Sequence, residues 1–385
     1  MIIEFTVKNF RSIKEEAILS FEANSSKSKE QNYFVIQTES EEFKLTKSIA
    51  IYGANASGKS NVITAFHALL FLIKRSHKND VGNPLPCYEP FLFDPNTRSA
   101  NCEFSISFIL GSKKYRLDVK YDKGIIHSET LSYFKSKKAT VLYERKAPEN
   151  IEEIKHEVDF KRELTSEGVK RDVMSNQLFL SKFNTDFHSM LTPICVYFKN
   201  IETAISSEPM RIKHLNDKIA EEIVTDSSFI LLKERLKRLI DIADIHVVDI
   251  NVEENEETSF KFPDNFPSKL KAQIIGDNKW SVEFIHKIFD KDIESGTHAL
   301  PIDEESLGTQ ILFGLGARVL QTLEKGGILI YDELDNSLHP RLSRLLVKLF
   351  NNTKSNPKNA QLVISTHEVS IIDKDMLRSD QILKQ

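Results

Sequence analysis

The sequence has few cysteines and no long apolar stretch, the features that mark disulfide-rich, metal-binding and membrane proteins. Only three cysteines, Cys87, Cys102 and Cys195, occur among its 385 residues, and their wide spacing forms no metal or redox motif. The longest apolar stretch, around Ala65 to Ile73, is too short to cross a bilayer, and nothing at the N-terminus of the sequence has the pattern of a signal peptide. We therefore expect a cytoplasmic protein with reduced thiols and no membrane partner.

An excess of positive charge is also missing. The chain has 52 lysines and arginines against 56 aspartates and glutamates, a formal net charge of −4, so no global basic field attracts nucleic acid. Two local basic stretches, 135–138 and 233–238, are more typical of a hairpin tip and of the polar face of a helix. Contact with a nucleic acid backbone at either stretch stays open as the less favoured alternative.

Several common catalytic patterns are absent as well. The sequence contains no His-Asn-His pattern, no paired-cysteine zinc site and no Gly-x-Ser-x-Gly elbow. The segments 290–292 and 373–375 imitate a two-carboxylate metal pair, but their charged neighbours favour solvated turns. Between Lys146 and Asp244 no heptad is sustained, which excludes a long coiled-coil arm.

What the sequence does contain is a phosphate-binding loop in the right local context. An apolar, strand-like run over 47–52 precedes it, and apolar residues at helical spacing follow it over 61–73. The pattern G-x-x-x-x-G-K-[ST] is matched by the eight residues from Gly53 to Ser60. The residues expected to bind the nucleotide are Gly53, Asn55, Ala56, Ser57, Gly58, Lys59, Ser60 and the next residue, Asn61. A chance glycine-rich turn is the disfavoured alternative.

This strand, loop and helix predict how a nucleotide is held. Gly53 and Gly58 permit the backbone angles that turn N–H groups inward, and the helix N-terminus adds partial positive charge. Lys59 is expected to reach the β- and γ-phosphates, and Ser60 to bind Mg²⁺. The expected cofactors are therefore ATP and Mg²⁺.

An apolar strand near the other end of the sequence supplies two carboxylates. Ile328 to Tyr331 lead directly into Asp332 and Glu333. We expect Asp332 to bind Mg²⁺, usually through water, and Glu333 to orient and deprotonate the attacking water. A strand followed by a solvated acidic turn is the alternative, and the phosphate loop makes it the less favoured one.

Together with these motifs, two further segments carry a family resemblance. Glu305 to Thr309 (ESLGT) open an amphipathic helix, and Ser365 to His367 (STH) follow an apolar strand. With the opening turn NFRSI, the loop YGANASGKSN and the segment DELDNSLHP, the chain resembles ABC-type ATPases of the RecF/SMC-like class. More narrowly, it is similar to bacterial AAA-type ATPases of the abortive-infection, RloA-like group. The tail LRSDQI has Ser379 where that group has a second arginine.

The resemblance implies roles for residues that the spacing alone does not assign. His367 would sense the γ-phosphate, and Asp335 would lie at a dimer seam. Ser306 and Gly308 would reach the phosphate from the opposite subunit of a homodimer or higher homo-oligomer. ATPases of this class usually have a further glutamine, the Q-loop glutamine, after the helix that follows the phosphate loop. Gln177 is a candidate for it, and the alternative is that Gln177 is an ordinary polar residue of a helix or loop.

The fold class implied is α/β: an ABC-type P-loop ATPase head, with a mixed sheet flanked by helices and a mainly helical insertion. We expect the two halves of the head at 1–145 and 301–385, and the insertion, a candidate surface for a partner, at 146–300. The strands predicted around the insertion include 102–110, 115–121, 125–134, 247–252, 270–275 and 282–288.

Three functional interpretations compete. The first is an ATPase that senses infection and controls a separate effector protein, a nuclease or toxin, in anti-phage defence. Related OLD-type proteins append a nuclease domain, for which the short stretch after His367 leaves no room. The second is a RecF-like DNA-repair ATPase, and the third is a transporter motor, which the large insertion and the short ESLGT segment disfavour.

Overall fold

A computed structural model describes residues 1–54, 57–146, 155–156, 173–204, 209–226, 230–243, 247–263, 265–290, 293–335 and 338–384. The chain divides into two compact units. The first unit comprises Met1–Ala204, Gly326–Glu333 and Val347–Gln385, and the second comprises Ile205–Lys325 and Leu334–Leu346.

The helices and strands are numbered in chain order over the described residues. The helices are α1 (Lys59–Arg75), α2 (Phe179–Lys182), α3 (Leu191–Lys199), α4 (Pro209–Thr225), α5 (Ile230–Ile242), α6 (Ser268–Asp277), α7 (Leu307–Lys325) and α8 (Pro340–Asn351). The strands are β1 (Ile2–Lys8), β2 (Ala17–Ser20), β3 (Tyr33–Gln37), β4 (Glu42–Thr46), β5 (Ser48–Tyr52), β6 (Cys102–Leu110), β7 (Lys113–Tyr121), β8 (Ile126–Phe134), β9 (Ala139–Lys146), β10 (Lys155–His156), β11 (Ile201–Ala204), β12 (Asp249–Glu254), β13 (Trp280–Asp290), β14 (Ile293–Pro301), β15 (Ile328–Tyr331), β16 (Gln361–Thr366) and β17 (Ile382–Lys384).

A parallel sheet in the first unit brings the distant motifs to one edge. Its strand order is β11-β15-β16-β5-β17, and every neighbouring pair is parallel. Strands β15 and β16 are buried along their whole length, which explains why they consist of continuous apolar runs. Because parallel strands end at the same edge, the residues that follow β5, β15 and β16 lie close together.

The first unit also contains a seven-stranded antiparallel sheet and the two-stranded sheet β3-β4. The order of the seven-stranded sheet is β10-β9-β8-β7-β6-β1-β2, in which β1 and β2 are antiparallel neighbours. The three predicted strands between residues 102 and 134 are confirmed as β6, β7 and β8. Alternate residues of β6 are buried, as expected for a strand with one face on a core. The ring of Phe5 on β1 lies 4.6 Å from the ring of Phe66 on α1, so the sheet and the helix share one core.

A fully buried carboxylate fixes one end of this core. Glu129 on β8 has 0% exposure and accepts a hydrogen bond from the Tyr143 hydroxyl at 2.7 Å. Its two oxygens also accept the backbone N–H groups of Phe179 at 2.7 Å and Leu180 at 2.9 Å. The guanidinium of Arg145 lies 3.7 Å away. Glu129 therefore anchors the start of α2 to the antiparallel sheet.

The second unit packs helices α4, α5 and α7 with the sheet β12-β13-β14. The strands predicted near 247–252 and 282–288 are confirmed as β12 and β13. Gly314 permits the close approach of α7 to α4, since a Cβ there would lie 2.5 Å from Asn216 Oδ1 and 2.9 Å from Leu215 Cγ. Arg318 of α7 forms two 3.0 Å hydrogen bonds with Glu222 of α4.

One predicted strand is wrong. Residues 270–275 lie inside helix α6, Ser268–Asp277, which begins directly after Pro267. Proline and the residues Lys, Ala and Gln favour the start and the first turns of a helix, and they outweigh the two β-branched isoleucines on which the strand prediction depended.

Among the helices of the described residues, none combines the length and the apolar character that a membrane span requires.

Candidate nucleotide-binding site

The phosphate loop connects β5 to α1 as predicted, and one of its glycines is required by geometry. Gly58 has φ of 101°, in the left-handed region, whereas Gly53 is not among the residues with positive φ. A Cβ at position 58 would also lie 2.8 Å from Ser12 Oγ. Of the other predicted nucleotide-binding residues, Ser57 is half-buried and Asn55 and Ala56 lie outside the described residues.

Lys59, the first residue of α1, is buried at the loop, with 4% exposure. Its ammonium group donates hydrogen bonds to the carbonyl oxygens of Gly53 and Ala54, both at 2.9 Å, and lies 3.3 Å from His367 Nδ1. The structure therefore brings the predicted lysine and the predicted switch histidine together. A buried ammonium beside a helix N-terminus is an arrangement suited to anionic phosphates.

Ser60 and Asp332 form the oxygen pair that a magnesium ion would need. Ser60 Oγ donates to Asp332 Oδ1 at 3.2 Å, although 272 residues separate them in the chain. A hydroxyl and a carboxylate suit Mg²⁺, which prefers oxygen ligands and retains waters and phosphate oxygens for its other positions. No group of three or more His, Cys, Asp or Glu suited to a metal occurs among the described residues.

Ser365, at the end of β16, links the two adjacent carboxylate residues. Its hydroxyl hydrogen-bonds to Asp332 Oδ1, and it accepts the backbone N–H of Glu333 at 2.8 Å. Glu333 has φ of 55°, a left-handed conformation that is uncommon for glutamate and needs support from its surroundings. From the sequence, Ser365 was noted only as part of the STH motif, and no role was predicted for it. Its position, a hydroxyl at the end of a buried strand, was the feature that could have indicated this role.

A turn near the N-terminus packs against the same loop. Asn61, predicted to bind nucleotide, donates its side-chain amide to Ser12 Oγ at 2.6 Å. The Arg11 guanidinium lies 3.4 Å from Thr64 Oγ1 on α1 and is paired with Glu89. The NFRSI turn was predicted only as part of the resemblance, and its contacts with the phosphate loop are evident only in the fold.

The signature residues lie in the second unit, at the start of α7. Ser306 caps this helix, since its Oγ accepts the Thr309 N–H at 3.2 Å and lies 2.8 Å from Thr309 Oγ1. Ser306 is exposed, Leu307 is 47% exposed and Gly308 is half-buried in the first turn. Asp335, also in the second unit, stands two residues after Glu333. The trans roles of Ser306, Gly308 and Asp335 stay predictions.

Gln177 has the contacts of a loop residue. Its side-chain amide donates to the carbonyl oxygens of His77 at 3.2 Å and Asn79 at 2.9 Å, just beyond the C-terminal end of α1. Lys59 is at the other end of that 17-residue helix, about 25 Å away at 1.5 Å per residue. Gln177 therefore fastens a loop and does not face the phosphate loop.

In this structure a phosphate loop lies between a parallel strand and a helix, and acidic residues follow another strand of the same sheet. This combination defines a P-loop ATPase. The family comparison gives the same class. The chain belongs to the family described as "AAA domain, putative AbiEii toxin, Type IV TA system", whose model matches residues 48–373. The matched range includes every predicted site residue.

Two solved structures are similar to this chain at low identity. One is a crystal structure of an SMC head bound to the C-winged helix domain of ScpA, with 14% identity and a TM-score of 0.43. The other is the SMC head domain from Thermotoga maritima, with 12% identity and a TM-score of 0.38. In both, the alignment covers 96% of this chain and 90% of the other. No functionally curated protein matches the sequence significantly.

Proposed function

We propose that this ATPase closes as a dimer around ATP and Mg²⁺, and that it controls a separate effector in bacterial anti-phage defence. The observation that carries the nucleotide part is the continuous set of contacts at one sheet edge. Lys59 contacts His367, Ser60 contacts Asp332, and Ser365 connects Asp332 to the backbone of Glu333.

These contacts suit phosphoryl transfer to water, which depends mainly on positioning and charge neutralisation. Lys59 and the N-terminus of α1 would offset the negative charge of the phosphates. Bound Mg²⁺ would supply further neutralisation and would be held by Ser60 and Asp332. Glu333 would take the proton from the attacking water, and His367 beside Lys59 would respond to the terminal phosphate.

A second chain is needed in this proposal because the signature residues belong to a helix start that is open to solvent. The first turn of α7 offers backbone N–H groups, and an anion is favoured at such a helix start. Ser306 and Leu307 are exposed there, and Gly308 is half-buried. We assign these groups to the phosphate held by the partner chain, with Asp335 at the seam between the chains.

The biological role in this proposal is supported by the family description, which refers to the AbiEii toxin and a type IV TA system. The sequence carries no catalytic signature other than that of the ATPase, so the toxic or nucleolytic chemistry is assigned to a different protein. The segment 146–300, which separates the motif-bearing halves, is the proposed surface on which that effector docks.

Lys59→Ala is expected to abolish measurable ATP binding, because it removes the ammonium group that donates to the loop carbonyls of Gly53 and Ala54 and lies beside His367. Binding is measured by equilibrium dialysis with labelled ATP. The matched control is Lys44→Ala on the exposed face of β4. Parental affinity in Lys59→Ala would contradict the assignment of the phosphate site.

Mixing two inactive variants tests the dimer. Ser306→Asp keeps a good helix cap but places a negative charge against the phosphate, so it should inactivate the site in which it lies. Paired with Lys59→Ala, it leaves one intact site in each mixed dimer. With random pairing, an equal mixture should recover roughly a quarter of parental hydrolysis. A mixture that stays as inactive as its components, at concentrations where dimers form, would rule out shared sites.

A further inference from the structure

A hydrogen bond between two side chains joins the segment before the signature helix to the sheet of the second unit. His286 lies on β13, and Glu305 directly precedes the helix cap Ser306. Nε2 of His286 is 2.6 Å from Oε1 of Glu305. Because a carboxylate only accepts hydrogen bonds, the imidazole nitrogen is the donor. The two residues belong to different elements, so the contact fixes one element relative to the other.

The burial of Glu305 gives this contact its importance. The Glu305 side chain is 8% exposed, whereas that of His286 is 30% exposed. A carboxylate removed from water is unfavourable unless it is hydrogen-bonded or paired with a positive charge. A separation of 2.6 Å is at the short end expected for a hydrogen bond to an ionised group. Without the imidazole, we expect the carboxylate to turn towards water and the backbone at position 305 to shift with it.

The backbone of Glu305 is connected in turn to the start of α7. Gln310 donates its side-chain amide to the carbonyl oxygen of Glu305 at 2.9 Å, and its backbone N–H to the carbonyl oxygen of Ser306 at 3.0 Å. Ser306 Oγ accepts the N–H of Thr309 at 3.2 Å. A shift of Glu305 would therefore displace both the carbonyl that Gln310 holds and the residue that caps the helix.

We propose that His286 is a positioning residue for the signature. It holds Glu305, and through Glu305 the start of α7, in the orientation in which the N–H groups of the first turn meet the phosphate of the partner chain. The contact with the partner chain rests on the proposed function, whereas the positioning of the segment does not.

The effect on catalysis follows from how sharply such contacts depend on distance. Donors that stabilise a reacting group act over roughly 2.7–3.1 Å, and a displacement of about 1 Å can cost about a hundredfold in rate. His286 itself touches neither the nucleotide nor Mg²⁺. Its loss should consequently impair the site to which its chain contributes the signature, and not the site to which its chain contributes the phosphate loop.

The first experiment measures positioning alone, in the full chain without nucleotide. His286→Phe keeps a planar ring but removes the donor, and His286→Gln keeps a donor near the same position. Amide hydrogen exchange in peptides within 302–312 should become at least about tenfold faster in His286→Phe, as expected for the loss of one hydrogen bond to a charged group. It should stay close to parental in His286→Gln. Exposed His298→Phe, directly opposite His286 on β14, is the matched control.

A double variant tests whether the two side chains act through their hydrogen bond. Glu305→Ala loses the same bond from the other side, so it should accelerate exchange to a similar extent. Adding His286→Phe to Glu305→Ala should then cause little further change, because the bond is already absent. Every variant is checked for a parental melting temperature. Effects of the two substitutions that simply add would overturn their coupling.

The second experiment determines in which site the effect appears. In the mixture of Lys59→Ala and Ser306→Asp chains, the intact site takes its signature from the Lys59→Ala chain and its phosphate loop from the other. His286→Phe in the Lys59→Ala chain should lower hydrolysis by the mixture at least about tenfold. The same substitution in the Ser306→Asp chain should leave hydrolysis unchanged, since the signature of that chain is already inactive.

The outcomes separate this inference from the proposed function. In an active mixture, equal losses for both placements of His286→Phe, or no loss for either, would overturn the role of His286 in the shared site. Parental exchange in folded His286→Phe, or equally fast exchange in His298→Phe, would overturn the positioning of the segment. A mixture that is inactive before His286 is changed would contradict the shared site of the proposed function, while the exchange measurement still decides whether His286 positions the segment.

Discussion

Glu333→Gln is expected to bind ATP normally and to hydrolyse it about 10²- to 10⁴-fold more slowly, the usual contribution of a general base. Glutamine has nearly the same shape as glutamate, so the left-handed backbone at position 333 and its hydrogen bond to Ser365 should persist. It cannot accept a proton from water. Lys59, Ser60 and Asp332 are unchanged, so the phosphates and Mg²⁺ keep their proposed partners.

Single-turnover hydrolysis and ATP binding should be measured on the same preparation. Glu42→Gln, an exposed substitution on β4, is the control for a general effect of removing one negative charge. Hydrolysis at the parental rate in Glu333→Gln would show that another group activates the water. A parallel loss of ATP binding would show that Glu333 supports the site and is not the base.

Glu129→Ala is expected to lower the free energy of unfolding by about 3–5 kcal/mol, because one partner of a buried, hydrogen-bonded ion pair is removed. The substitution would leave Arg145, 3% exposed, without its carboxylate and the N–H groups of Phe179 and Leu180 without an acceptor. Urea unfolding followed by circular dichroism provides the measurement.

Two comparisons make this stability prediction specific. Glu129→Gln retains one oxygen acceptor and nearly the same volume, so a smaller loss is expected. Glu144→Ala removes a carboxylate from β9 whose partner Lys146 is 58% exposed, and it should cost less than about 1 kcal/mol. If Glu129→Ala is no more destabilising than Glu144→Ala, the anchoring role of Glu129 is wrong.

The sequence predicted those parts of the fold and site in which chemistry is local. The phosphate loop needs its glycines, lysine and serine within eight consecutive positions, and the buried parallel strands need continuous apolar runs, so both are visible as patterns. No role was predicted for Glu129 or Ser365, because each acts through contacts with residues that are distant in the sequence and that only the fold brings near. Arg11 and Ser12 were noticed for their motif and not for their contact with α1 and Gly58.

The remaining differences have similar causes. Helix α6 was predicted as a strand because two neighbouring isoleucines suggested β structure, while the helix start after Pro267 was overlooked. Gln177 was a candidate for the glutamine that the family resemblance leads one to expect after the helix, but the length of α1 carries that region away from Lys59. The trans roles of Ser306, Gly308 and Asp335 require a second chain and stay predictions.

The position of β5 in the parallel sheet has a consequence for synthesis on the ribosome. Both strands that pair with β5 are formed by residues after position 360, namely β16 and β17. A nascent chain that has already exposed the phosphate loop therefore holds β5 without either neighbour until residues beyond position 360 have been translated. An apolar strand with two unpaired edges is prone to aggregate, and such long-range pairing is slow. Nascent chains of this protein should thus depend on chaperones during elongation, and they acquire the ATP site only after Ser365 and His367 have been translated.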